Sequence, residues 1–169
     1  MTRIIITISL LVLCSMEVAM AQSSNLSDQQ KEVMAVVEEL FDGYRAGDSS
    51  MVAATFTKNA QMQRVQVKDG HTLVTNSDSV EGWLNYIGSG LEKLHDEPIW
   101  DYKVNIDGGL ASVWTKYAFY LEGTFHHCGV DNFLLVNSID GWKIFHIVDT
   151  SQVEGCVIPD AVRKKSEKN

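Results

Sequence analysis

The segment from His126 to Cys156, HHCGVDNFLLVNSIDGWKIFHIVDTSQVEGC, constrains the fold more than any other part of the chain. It reads as two long strands joined by a turn at Asp140-Gly141, with a cysteine near each end. His127, Asp131, His146 and Asp149 are spaced among its apolar residues. That pattern specifies a half-buried antiparallel sheet carrying ionisable groups into a core. It predicts a site, without naming a reaction.

At 169 residues and 45% hydrophobic content, the chain suits one domain with a substantial core. A formal net charge of −8 argues against nucleic acid or an anionic membrane as partner, since both require clustered Lys and Arg. The one basic cluster, Arg163-Lys164-Lys165, falls in residues 158–169, expected to be a solvated, charged tail. Residues 1–21 read as a secretory signal peptide: Arg3, the apolar run Ile4 to Leu13, and the small-x-small site Ala19-Met20-Ala21 before Gln22. The domain is then 22–157, exported to a periplasm or an extracellular space, with no membrane attachment after cleavage. Export leaves Cys128 and Cys156 as an even pair in an oxidising compartment, so a disulfide between them is expected. The competing use, a metal site of both cysteines and a histidine, is disfavoured. His126 and His127 should point to opposite faces of their strand, and neither a metal nor a cofactor is expected.

Ser27 and Gln30 form a capping box ahead of Val33, Val36, Val37, Leu40, Phe41 and Tyr44 at helical spacing, ended by Gly47. Asp48 caps a short second helix. An edge hairpin follows, Ala60 to Val67 and His71 to Thr75 about Asp69-Gly70, with alternation interrupted by Gln61, Gln63, Arg64 and Gln66. Asp78 and Glu81 open a third helix, with an apolar stripe from Val80 to Leu94. Beyond Pro98 the pattern is continuous sheet, Trp100 to Ile106 and then Leu110 to Glu122. The last of these carries large rings on both faces, so its outer face is expected to form a homodimer through Trp114 and Tyr120. Helices gathered on one side of a curved antiparallel sheet make an α+β fold with an apolar hollow beneath them.

ATFTKNAQ, GLASVWTKYAFY and above all DGWKIFHIVDT resemble the NTF2-like superfamily, in particular its SnoaL-like and lumazine-binding-like members, across essentially the whole mature chain. The resemblance implies a cone-shaped fold with about three helices on the concave side of the sheet, a small-molecule pocket and frequent dimers. It does not imply one chemistry, because ketosteroid isomerase, scytalone dehydratase, polyketide cyclases and non-catalytic transport factors share this fold. Their catalytic positions do not map one for one, and none is transferred.

Strand parity supplies the candidates. If Phe133 looks into the cone, so do His127 and Asp131. On the last strand Lys143 should face outward, sending Trp142 and His146 in and Asp149 out unless the strand bulges. The candidate catalytic set is therefore His127 or His146 as base, Asp131 or Asp149 orienting it, and Tyr117 donating to an oxyanion. Expected ligand contacts are Tyr44, Trp83, Phe119, Phe133 and Trp142, with core packing the competing role for Tyr44 and Trp83. The same ionisable groups could instead form a satisfied buried network. Three functions remain open: binding of a small, largely apolar ligand; a cofactor-free lyase, isomerase or cyclase of SnoaL type with a His-Asp base; and a non-catalytic dimeric accessory protein.

Overall fold

The first helix, α1 (Asp28–Ala46), opens on the expected capping box, Ser27 and Gln30 satisfying each other's backbone amides, and closes on Gly47 in the left-handed conformation. Val33, Met34, Val37, Leu40 and Phe41 form its buried stripe. A computed structural model describes residues 26–76 and 79–167, so residues 1–21, expected to be a signal peptide, lie outside the described residues.

Asp48 caps α2 (Ser49–Ala54), whose Val52 is buried beneath α1. The hairpin β1 (Phe56–Lys68) and β2 (His71–Asn76) follows, then α3 (Val80–Gly88). Ser79, one residue later than expected, caps α3 through its hydroxyl, and the helix stops before the expected stripe reaches Leu91 and Leu94. The sheet continues with β3 (His95–Asp96), β4 (Ile99–Asp107), β5 (Leu110–Leu121), β6 (Thr124–Ser138) and β7 (Gly141–Thr150), before a final helix, α4 (Asp160–Ser166).

The strands make one curved, unclosed sheet in the order β2-β1-β7-β6-β5-β3, with β4 also on β5. The hairpin joins it through parallel pairing of β1 with β7, which its poor alternation did not reveal. Between β3 and β4, Pro98 has no N–H for β5, so one extended run is broken in two at Glu97-Pro98. Under α1 the concave face carries the main core: Val113, Phe133, Leu135, Trp142, Ile144 and Ile147.

Two bulges decide which side chains face inward. Leu134 pairs with His146 but Leu135 with Ile144, so Phe145 is an extra residue in β7. Phe119 pairs with His127 but Tyr120 with Phe125, so His126 is an extra residue in β6. Each inserted residue resets the alternation beyond it.

On the convex face Ala118, Tyr120 and Cys128 form a separate cluster with Trp100, Cys156 and Ile158. Cys128 and Cys156 are disulfide-bonded, Cα to Cα 6.0 Å, and the chain after β7 crosses the sheet as a strap. Tyr120 is fully buried by its own chain and cannot serve the homodimer contact expected of it, whereas Trp114 is half exposed. Nor are residues 158–169 simply a solvated tail. Ser166 of α4 is buried, its hydroxyl donating to Asp96 Oδ2 at 2.6 Å, and Arg45 Nε of α1 donates to Asp96 Oδ1 at 2.7 Å.

The disulfide closes a sequence separation of 28, which the chain-entropy account equates to about 3 to 4 kcal/mol. Cys128→Ala/Cys156→Ala is expected to lose about that much in urea unfolding, with a matching loss for the parent protein under reductant.

Candidate functional site

Between the helices and the concave face lies a cavity of about 370 Å³. Its apolar wall is Leu40, Phe41 and Tyr44 of α1, Trp83 of α3, and Met62, Phe119, Phe133 and Ile147 of the sheet. The rings are in mutual contact: Tyr44 lies 5.1 Å from Trp83 and 6.4 Å from Phe119 between centroids. Arg64, Glu97, Tyr117, His127, Asp131 and Asp149 supply its polar lining.

Strand pairing builds this polar wall. Thr115, Asp131, Asp149 and Arg64 form one row across β5, β6, β7 and β1, each opposite the next. Two carboxylates directly opposite one another repel, and the row resolves this unequally. Asp149 takes Arg64: the guanidinium Nε donates to both carboxylate oxygens at 2.9 Å, and Nη2 also donates to Oδ2. Asp131 receives no such cation. It is 4% exposed, and its Oδ2 is buried with no hydrogen-bond partner.

Burial, then the neighbouring charges of Glu97 and Asp149, hold the Asp131 carboxyl well above the ordinary carboxylate range. Glu97 behaves alike: burial first, then Asp149, push it up to about 8 against the pull of Arg64. His127 moves the other way, down to about 4, because burial, Arg64 and His126 all disfavour its cation. At neutral pH the wall thus presents a protonated Glu97, an Asp131 carboxyl biased towards its protonated form, a neutral imidazole and one closed ion pair.

Tyr117 reaches across the sheet to donate its hydroxyl proton to the Thr150 carbonyl at 2.8 Å. Gly129 permits this crossing. A Cβ there would sit 1.9 Å from the Thr150 oxygen and 2.8 Å from the Tyr117 ring. The proton expected to serve an oxyanion is therefore already engaged.

Of the candidate residues, His127, Asp131, Asp149, Tyr117, Tyr44, Trp83, Phe119 and Phe133 all line the cavity. His146 and Trp142 do not. The Phe145 bulge turns His146 away, onto Gln63 at 3.0 Å, and turns Asp149 in, the reverse of simple alternation. Trp142 precedes the bulge and packs into the core at the other end of the strand. Among the described residues no histidine is hydrogen-bonded to Asp131 or Asp149, so the His-Asp pair is not assembled. His127 instead meets its neighbour, Nδ1 to Nδ1 at 2.8 Å, because the bulge at His126 brings two adjacent imidazoles together that alternation would separate.

Two cavity residues escaped the sequence reading, Arg64 and Glu97. Arg64 stands in the sequence only as an interruption of the hairpin's pattern, and Glu97 is not among its candidates. Their signal was a charged side chain in step with inward positions of an extended run.

No protein-family model matches the sequence, and no curated protein matches it as a relative. Solved structures do match in shape. An NTF2-like protein from Cytophaga hutchinsonii superposes with a TM-score of 0.59 at 14% identity, covering 75% of this chain and 100% of that one. A protein of unknown function with a cystatin-like fold from Nostoc punctiforme gives 0.59 at 10% identity, over 76% and 96%. An NTF2-like protein from Novosphingobium aromaticivorans gives 0.57 at 13%, over 80% and 87%. The chain thus has an α+β, cone-shaped fold of the NTF2-like type.

Two measurements check the site. An acid whose value is raised from 4.5 to about 8 on folding keeps its proton after the unfolded chain has lost it, so stability falls as pH rises between those values. His127 acts oppositely, costing stability as pH drops from 6.5 towards about 4. Above pH 6.5 the acids alone act, and between pH 6.5 and 8 the share of Glu97 amounts to a loss of about 1 to 2 kcal/mol in urea unfolding, by which Glu97→Gln should make the decline shallower. Gly129→Ala should cost about 3 kcal/mol or more by forcing Tyr117 off Thr150, far beyond the loss in Tyr117→Phe.

Proposed function

We propose that this is an exported small-molecule-binding domain whose cone encloses a largely apolar ligand with one polar end. The make-up of the cavity carries this reading: aromatic and aliphatic side chains line much of it, and among its polar groups a buried Asp131 oxygen has no partner among the described residues. Buried polar atoms are normally satisfied, and an orphan facing a hollow is a place for a ligand to complete. The Cys128–Cys156 disulfide and the leader-like residues 1–21 fit an oxidising destination.

A catalytic version draws on one observation, Glu97 raised to about 8 in the same cavity. A cofactor-free lyase or isomerase would use Glu97 as its acid and base in place of a His-Asp pair. Turnover lost in Glu97→Gln while ligand affinity persists would favour it. Half-exposed Trp114 keeps homodimer formation open on the convex face, and sedimentation of Trp114→Glu as a monomer beside a dimeric parent would support it.

The binding reading is tested with N-phenyl-1-naphthylamine, a neutral apolar probe whose fluorescence rises out of water. One site of micromolar affinity is expected, and Met62→Trp, which fills the hollow, should weaken it at least about tenfold, or about 1.4 kcal/mol. Absence of binding, or equal binding by the filled variant, would overturn the reading.

A further inference from the structure

We infer that the polar end of the cavity recognises a protonated amine, with the ammonium seated against Asp131 and Glu97 and an aryl or alkyl body on Tyr44, Trp83 and Phe119. This rests on the binding reading and names the class of ligand. The first observation is the balance of charge. Three carboxyl groups line the hollow, from the β3–β4 junction, β6 and β7, and Arg64 of β1 is the one cation among the lining residues. Arg64 is closed on Asp149 through both its Nε and Nη2. Among the described residues, Glu97 and Asp131 are left without a counter-ion. His127 of β6 supplies none, since it is held neutral, and the lining hydroxyls of Tyr44 on α1 and Tyr117 on β5 are both held protonated by burial.

The second observation is the orphaned Asp131 Oδ2. An ammonium has three donors and no acceptor, and the orphaned oxygen, with carboxyls that ionise beside it as the cation arrives, offers acceptors. In a desolvated cavity each such contact is charge-assisted, and the incoming cation supplies what the fold omits. The adjacent aromatic wall adds the negative faces of its rings. A carboxylate ligand brings no donor to the orphaned Asp131 oxygen and would reach Arg64 only by breaking its pair with Asp149. Seating the cation favours the ionised carboxylates, and Glu97, raised to about 8, then gives up its proton, so binding near neutral pH releases protons to the solvent.

Three probes with one body and different heads test this: tryptamine, tryptophol and indole-3-acetate, titrated calorimetrically at pH 7 in phosphate and in Tris. Tryptamine should bind at least about tenfold tighter than tryptophol, a difference of about 1.4 kcal/mol, with indole-3-acetate weaker still. Its apparent enthalpy should differ between the buffers in the sense of proton release. Asp131→Asn should erase the preference while retaining tryptophol, and Glu97→Gln should reduce both preference and proton release. Equal or tighter binding of tryptophol or indole-3-acetate overturns the inference, as does a preference unchanged in both variants. If none of the three binds while N-phenyl-1-naphthylamine does, the amine inference fails and the apolar-ligand reading stands. If that probe is also refused, both fall.

Discussion

Side chains on a strand alternate, and nearly everything in this molecule depends on where that alternation is broken. Phe145 lets β7 give Trp142 and Ile144 to the core and then, past the inserted residue, Ile147 and Asp149 to the same concave face. Without it, His146 and Val148 would take the concave positions, Asp149 would turn to the convex face, and Arg64 would lose its partner. His126 plays the same part at the other end of β6, bringing His127 against its neighbour while leaving Tyr120 to the convex cluster. The sheet thus changes function along its length, from packing surface under α1 to pocket wall beyond it.

That wall is held at a cost. Two carboxyls are kept from water with no ion pair of their own among the described residues, and burial disfavours the charged form of each. A stable fold of this size had cheaper options, such as leucine at either position. Polar groups retained where apolar ones would pack better mark a place where stability is subordinate to recognition. Arg64 and Asp149 show the contrast within the same row, a pair already complete beside an acid that is not.

The fold was largely legible because its signals are local and redundant. The Ser27/Gln30 box, the turn at Asp140-Gly141 and the stripe from Val33 to Phe41 each specify one outcome, and the structure has all three. The cysteine pairing followed from compartment and parity of number. The site was legible only in part, since pockets depend on register between distant strands. Arg64 and Gln66 line the hollow while Val67, between them and the turn, is 76% exposed, an inversion of the usual pattern. Apolar alternation therefore pointed the wrong way on β1, just where the cavity is polar. His146 and Trp142 were misplaced for a related reason: an inserted residue has no composition of its own, and Phe145 reads as an ordinary strand residue.

The position of Asp96 has an engineering consequence. Its carboxylate gathers Arg45 from the first helix and Ser166 from the last, and the very next residue is Glu97. The anchor for the acid in the pocket is thus partly supplied by residues far along the chain, on the opposite surface of the sheet. Purification handles or fusion partners placed just after Ser166 would pull on that anchor, and a shortened chain would lose it. Handles joined ahead of Leu26 avoid the linkage altogether.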